Sequence, residues 1–336
     1  MNETVIAKRA LYYPYINAPD SPWFTRVLLY WDKVAAIIPL QFLHEPEKLE
    51  PQMQGYVKAG LIEPVVPGAF TWELPNFDGA FLRHLDFRAS RDPRPREEWP
   101  RVHMEKLQEL GGHLCERGLA KREGEWSPWF FVETQTAIEF MTYLAVVLGR
   151  MPTVDCAPIT NEPVGFSTLI GKWPERLAPL RTEMLEEILP TPSASVRPEE
   201  LAEFKMEHGK ELASFRSEVE QRISEIAAIT DDEWRQHRKA TILAGMQEQR
   251  DALSEKIRKQ KGWSAVSFGT LCAVAKAGID LLTGGSLGPV KASLSVAPAV
   301  VDAFKGSSVT TSDGPMAYAA LAHDRAAEWY RDERRD

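Results

Sequence analysis

The feature that most constrains this chain is a seam of side chains at alternating spacings of three and four. Leu201, Phe204, His208, Leu212, Phe215, Val219, Ile223 and Ile226 recur in this way. An α-helix brings such positions onto one face, so the seam predicts a long helix packed along its length in the manner of a coiled coil. Pro198 suits its first position, and Glu199 and Glu200 complement the positive end of the helix dipole. Thr230, Asp231, Asp232 and Glu233 form a capping box for a second helix, whose weaker seam is Trp234, Ile242, Met246, Leu253 and Ile257. Two such helices joined by a short capped turn are expected to fold back as an antiparallel hairpin over residues 198–261, an arm suited to spacing or interaction. His208, on that seam, reads as a satisfied or interface histidine.

Ahead of the seam the chain alternates in type. Residues 10–15 (ALYYPY) have strand character, and Ser21-Pro22 opens a helix with serine at the cap and proline at the first turn. Trp23, Val27, Tyr30, Trp31 and Val34 mark its buried stripe, and residues 36–39 (AIIP) read as a second strand, which completes a βαβ unit. A helix over 47–59 ending at Gly60 and a strand over 61–66 follow, then a helix over 103–117 ending at Gly118. Residues 119–123 and 129–133 read as a hairpin. Thr136 and Glu139 read as a capping box for a helix whose apolar face carries Ala137, Ile138, Met141, Leu144, Ala145 and Leu148. Residues 153–160 suggest a last strand.

The chain therefore divides into a mixed α/β part over 1–170, a proline-punctuated connector over 171–197, the helical hairpin over 198–261, and a remainder over 262–336. The fold expected is an α+β or α/β N-terminal half followed by an all-α C-terminal half with two long helices. Within the remainder, residues 263–304 are rich in Ala, Gly, Ser and Val and nearly free of charge except for Lys276, Asp280, Lys291 and Asp302. Small residues let helices approach closely, which suits a packing or oligomerisation hairpin with Trp263, Phe268, Leu281, Leu282 and Leu287 as its contact residues. Insertion into a membrane is the competing reading, and a charge at the bilayer centre costs roughly 2.5–3.5 kcal/mol. A helix over 316–334 with Tyr318, Leu321, Trp329 and Tyr330 on its apolar side ends the chain.

A net charge of −8 argues against nonspecific nucleic-acid binding, which needs a basic face. Arg88, Arg91, Arg94, Arg96 and Arg101 form the one basic cluster, but Asp92, Glu97 and Glu98 interrupt it, so it reads as a solvated loop. Three widely separated cysteines, Cys115, Cys156 and Cys272, suit a reducing compartment. The N-terminus lacks an apolar signal core, and no segment has the ~18 uninterrupted apolar residues of a simple span, so a cytoplasmic protein is expected.

Residues 10–39 (ALYYPYI…SPW…LLYWDKV…IIP), 103–120 (HMEKLQELGGHLCERGLA), 137–148 (AIEFMTYLAVVL) and 189–216 (LPTP…PEELAEFKMEHGKELASFR) resemble, in order and spacing, a bacterial protein family known only as a domain of unknown function. The resemblance covers roughly the first 225 residues and departs at Lys205, where the family more often has arginine. It implies a bacterial, cytoplasmic setting and supplies no activity and no catalytic residues.

Motifs for chemistry are sparse. Gly284-Gly285-Ser286-Leu287-Gly288-Pro289-Val290-Lys291 fails the phosphate-loop spacing, no G-x-S-x-G elbow exists, and the histidines are scattered, so no cofactor and no metal site is expected. In an α/β domain, function gathers at the carboxyl ends of strands. That singles out Asn17, Asp20, His44, Asp155, Asn161 and Glu162, although caps and turns are the default work of such residues. Asp20, Asp155 and Glu162 would be the acids of a hydrolase or nuclease if they converged. The leading expectation is instead a non-enzymatic assembly component of a bacterial multi-protein system, in the genre of phage defence or stress response. Its partner would be another protein or further copies of itself, with a membrane-perturbing effector as the third reading.

Overall fold

A computed structural model of the chain describes residues 9–70, 76–88, 94–162, 174–191, 196–282 and 313–332. β1 (Arg9–Tyr12) leads to α1 (Pro22–Tyr30), where Ser21 Oγ accepts from the Phe24 N–H at 3.3 Å and Pro22 occupies the first turn. β2 (Lys33–Ile37) returns parallel to β1, pairing Leu11 with Ala35, so the expected βαβ unit is present. Val34, read as part of the helical stripe, belongs to this strand, because the helix ends at Tyr30.

A short turn of helix, α2 (Gln41–His44), precedes α3 (Pro51–Lys58), which closes at Gly60. Gly60 takes φ +71°, a left-handed conformation that favours glycine. β3 (Ile62–Val65) then pairs parallel with β2. Carbonyls of Leu61 and Val65 accept from β2, so Pro64 turns its missing N–H outward on this edge strand.

After α4 (Phe77–Phe87) the chain forms a second, antiparallel sheet. β4 (Arg101–His103) is followed by two short helices, α5 (Met104–Leu107) and α6 (Leu110–Glu116). The single helix expected over 103–117 is thus corrected to a strand and two helices. Gln108 sits at φ 53°, which no continuous helix allows, and β4 is drawn out by pairing with the later β6. β5 (Ala120–Arg122) and β6 (Trp129–Val132) form the expected hairpin, with β6 central.

α7 (Thr134–Gly149) begins two residues before the capping box read at Thr136. Thr136 and Glu139 lie inside the helix and bond the Arg88 guanidinium. β7 (Ala157–Ile159) completes the parallel sheet, in the order β3-β2-β1-β7. A Cβ on Gly149 would meet the Cys156 carbonyl at 2.4 Å, so glycine alone lets the end of α7 lie this close to the start of β7. Alternation along the central strands fills both faces. Leu11, Tyr13, Ala35 and Ile37 join a core with Phe81, Leu110, Phe140 and Leu144. On the other face Tyr12 meets Phe24, 5.3 Å between ring centres, and Phe24 meets Tyr56. Burial on both faces is the rule for parallel sheets.

The remaining helices are α8 (Pro174–Ile188), α9 (Pro198–Glu207), α10 (Gly209–Ala227), α11 (Asp232–Leu282) and α12 (Ala317–Asp332). α8 lies within the stretch read as a connector; it is helical despite Pro179. The seam is buried at Leu201, Phe204, Leu212, Phe215, Val219, Ile223 and Ile226, but it is split between two helices at His208. Asp231 caps α11, accepting from the Trp234 N–H at 2.7 Å. Trp234 itself is exposed and stacks on His237, so it leaves the predicted seam. α11 runs 51 residues, well past the expected end.

Two compact units result, one of Met1–Glu186, Thr191–Glu207 and Val219–Thr230, the other of Glu187–Pro190, His208–Glu218 and Asp231–Asp336. In the second, α11 and α12 pack antiparallel, with Ile257 against Ala317 and Ala320, and Leu253 and Leu321 beside them. Arg250 donates to the carbonyls of Glu187 and Ile188 at 2.8 and 3.2 Å, and Phe215 stacks on Tyr318. Side chains of Trp263, Phe268, Leu281 and Leu282, and all of Leu287, lie outside the described residues.

Candidate functional site

β1 connects to β2 on one side of the sheet, whereas β7, on its other side, arrives from α7. Connections therefore diverge between β1 and β7, and the carboxyl ends of this pair form a topological switch point, where α/β sheets tend to bind ligands. A cleft of about 620 Å³ opens there, between these strand ends and the small sheet. That volume suits a small organic molecule.

Two side chains make the floor of the cleft polar. His103 ends β4 and caps α5, its Nδ1 accepting from the Glu105 N–H at 3.2 Å. An accepting Nδ1 leaves the proton of the neutral ring on Nε2. Burial, and then the charge of Lys106, push the imidazole pKa down to about 4, so the neutral form holds at ordinary pH. His103 Nε2 is buried with no hydrogen-bond partner among the described residues.

Lys106 follows three residues later, on the same side of the helical turn. It is 3% exposed, and it lines the same cleft as His103. No acceptor for its amine is found among the described residues. Burial pushes its pKa down to about 7, against the opposing pull of Glu105. The Glu105 carboxylate is turned to the loop after β2, where it accepts from the Leu40 N–H at 2.8 Å. Leu107 and Leu110, both fully buried, anchor the segment, and Trp129 meets the His103 ring edge-to-face at 5.0 Å. Tyr12, Ala137 and Met141 complete the inner wall.

The rim carries both signs of charge. Asp20 and Glu50 face Arg94 and Arg101 around the opening. Asp20 accepts from Gln52 at 3.1 Å, and Asn17 accepts from the Glu50 N–H at 3.1 Å. Arg101 lies 4.7 Å from the centre of the Trp129 ring and pairs with Glu123 at 2.9 Å. Tyr15 donates to Glu162 at 3.0 Å and so ties the loop after β1 to the loop after β7.

The three acids that a hydrolase or nuclease reading would need together are not all at one end of the sheet. Asp20 and Glu162 follow β1 and β7, but Asp155 precedes β7 and lies at the opposite end of that strand, one residue from the Val154 carbonyl bonded by Arg9. Asn17 and Asn161 line the cleft, and His44 is an exposed helix end. The basic cluster is dispersed as well. Arg94 and Arg101 reach the cleft, Arg91 lies outside the described residues, and Arg88 is buried rather than solvated. Arg88 pairs with Glu133 and, at 3.4 Å, with Glu139, which also accepts from His84 at 2.9 Å.

Comparison with protein families, curated proteins and solved structures found no match. Among the described residues no three His, Cys, Asp or Glu side chains gather as a metal site, and no helix is long and apolar enough to cross a membrane. Sequence reasoning missed His103 and Lys106. Their signal is a histidine and a lysine three apart, and it acquires meaning only once His103 is placed at a strand–helix junction.

Proposed function

We propose that the protein is a ligand-responsive assembly component of a bacterial multi-protein system. Its α/β unit binds a small molecule whose inner end presents hydrogen-bond acceptors such as carboxylate, phosphate or carbonyl oxygens. The observation that carries this reading is a pair of donors on one cleft, the buried His103 Nε2–H and the amine of the buried residue Lys106, neither of which has a hydrogen-bond partner among the described residues. A buried polar group without a partner costs about 1–3 kcal/mol, so donors kept unpaired beside a cleft are matched by something that enters it. The 51-residue α11, capped by Asp231, supplies surface for assembly in the second unit.

Thermal unfolding with inorganic phosphate, a nucleoside monophosphate and a small dicarboxylate tests the binding reading. At ~100 times its Kd, a ligand stabilises the folded state by about 2.7 kcal/mol. At least one of the three should raise Tm in the unaltered protein and leave Lys106→Met unmoved. Equal responses of the two proteins to every compound would remove the cleft from consideration. Light scattering tests the assembly reading, and a strictly monomeric mass at all concentrations, with no copurifying partner, counts against it.

A further inference from the structure

Resting on the reading of the cleft as a binding site, we propose that Lys106 is a nucleophilic amine that condenses with the carbonyl group of a small aldehyde or 2-oxo acid to form an imine. Geometry separates Lys106 from the other lysines. Lys33, Lys48, Lys121 and Lys256 are paired with Glu63, Glu45, Glu97 and Asp313. Lys205, the other buried lysine among the described residues, donates to the carbonyls of Trp31 and Asp32 at 2.6 and 3.0 Å. Lys106 has neither kind of partner among them and lines a cleft large enough to admit a reactant. Burial also favours its neutral form, whose lone pair is the nucleophile.

The step balances without an oxidant or reductant. The Nζ lone pair attacks the carbonyl carbon, and the π electrons move to oxygen, which takes up the proton that nitrogen sheds. The carbinolamine then loses its hydroxyl as water, which takes the remaining N–H proton as nitrogen closes the C=N bond. Amine plus carbonyl gives imine plus water. His103 Nε2–H donates a hydrogen bond to the reacting oxygen, and burial keeps the ring neutral throughout.

Glyoxylate is the probe. The full chain is incubated with glyoxylate and cyanoborohydride, which reduces an imine to a stable secondary amine, and labelling is read lysine by lysine by peptide mass spectrometry. At pH 7 Lys106 should be labelled at least ~10-fold faster than exposed Lys58. The rate at Lys106 should level off on the alkaline side of about 7. His103→Gln should slow labelling at Lys106 several-fold and leave Lys58 unchanged; an unchanged rate at Lys106 would remove His103 from the step. The comparison between lysines uses the unaltered protein and needs no variant to fold. Labelling of Lys106 no faster than Lys58 would overturn the proposal. Phosphate and nucleotide form no imine, so stabilisation by them that depends on Lys106, without fast labelling, would leave the binding reading standing and the imine refuted. Absence of both effects would refute the two together.

Discussion

Lys106 and Lys205 are both buried, yet opposite consequences follow from their surroundings. Lys205 bonds carbonyls just past the end of α1, where a cation also complements the helix dipole. Replacing it with methionine removes charge-assisted bonds, and Lys205→Met should lower stability by about 1.5–3 kcal/mol in denaturant titration. Lys106→Met removes an amine that has no acceptor among the described residues and keeps a side chain of similar length. This variant should be more stable than the parent at pH 6–7, by about 1–3 kcal/mol. The sign with pH follows from linkage. The folded pKa of Lys106 lies below its unfolded value of 10.5, so between about 7 and 10.5 the unfolded chain binds more protons and stability rises with pH. The advantage of Lys106→Met should therefore shrink as pH rises through that window. A constant difference from pH 6 to 10 would mean that the amine is not held neutral.

At the scale of elements, what the sequence made legible is local. Ser21 at a cap, Pro22 in a first turn, Gly60 after a helix and the 119–133 hairpin each depend on a few adjacent residues, and each is present. Misread elements depend on distant partners. β4 exists because Arg101 pairs with Phe131 across some thirty residues, and only that pairing turns His103 from a helix residue into a cap. The same reason hid Arg88, whose acids Glu133 and Glu139 lie 45 and 51 residues away. Its guanidinium joins the end of α4 to the first turns of α7. Removing one member strands the others in a buried setting, so Arg88→Met should cost about 3–5 kcal/mol. Restoring neutrality with Glu133→Gln in the same chain should recover part of that loss; strict additivity in a double-mutant cycle would show that the two do not interact.

For the whole molecule, the alternation of strand and helix in the front half and the helical character of the rest were both readable, because hydrophobic period reports element type without knowledge of partners. The cleft was not, since it is assembled from Tyr12, Lys106, Trp129 and Asn161, which no spacing relates. Another property belongs to the sheet as a whole. Among the described residues its two edges are β3 and β7, and each carries a proline, Pro64 and Pro158. Ile159 accepts from the Tyr13 N–H, so Pro158, like Pro64, faces away from its neighbour strand. Neither outward edge offers the ladder of donors that an incoming strand needs. The parallel sheet is thereby hindered from pairing edge to edge with a second copy, and so from the cross-β stacking by which exposed edges seed fibrils. Replacing both prolines by valine should give a chain that precipitates or binds thioflavin on mild heating, where the parent stays clear.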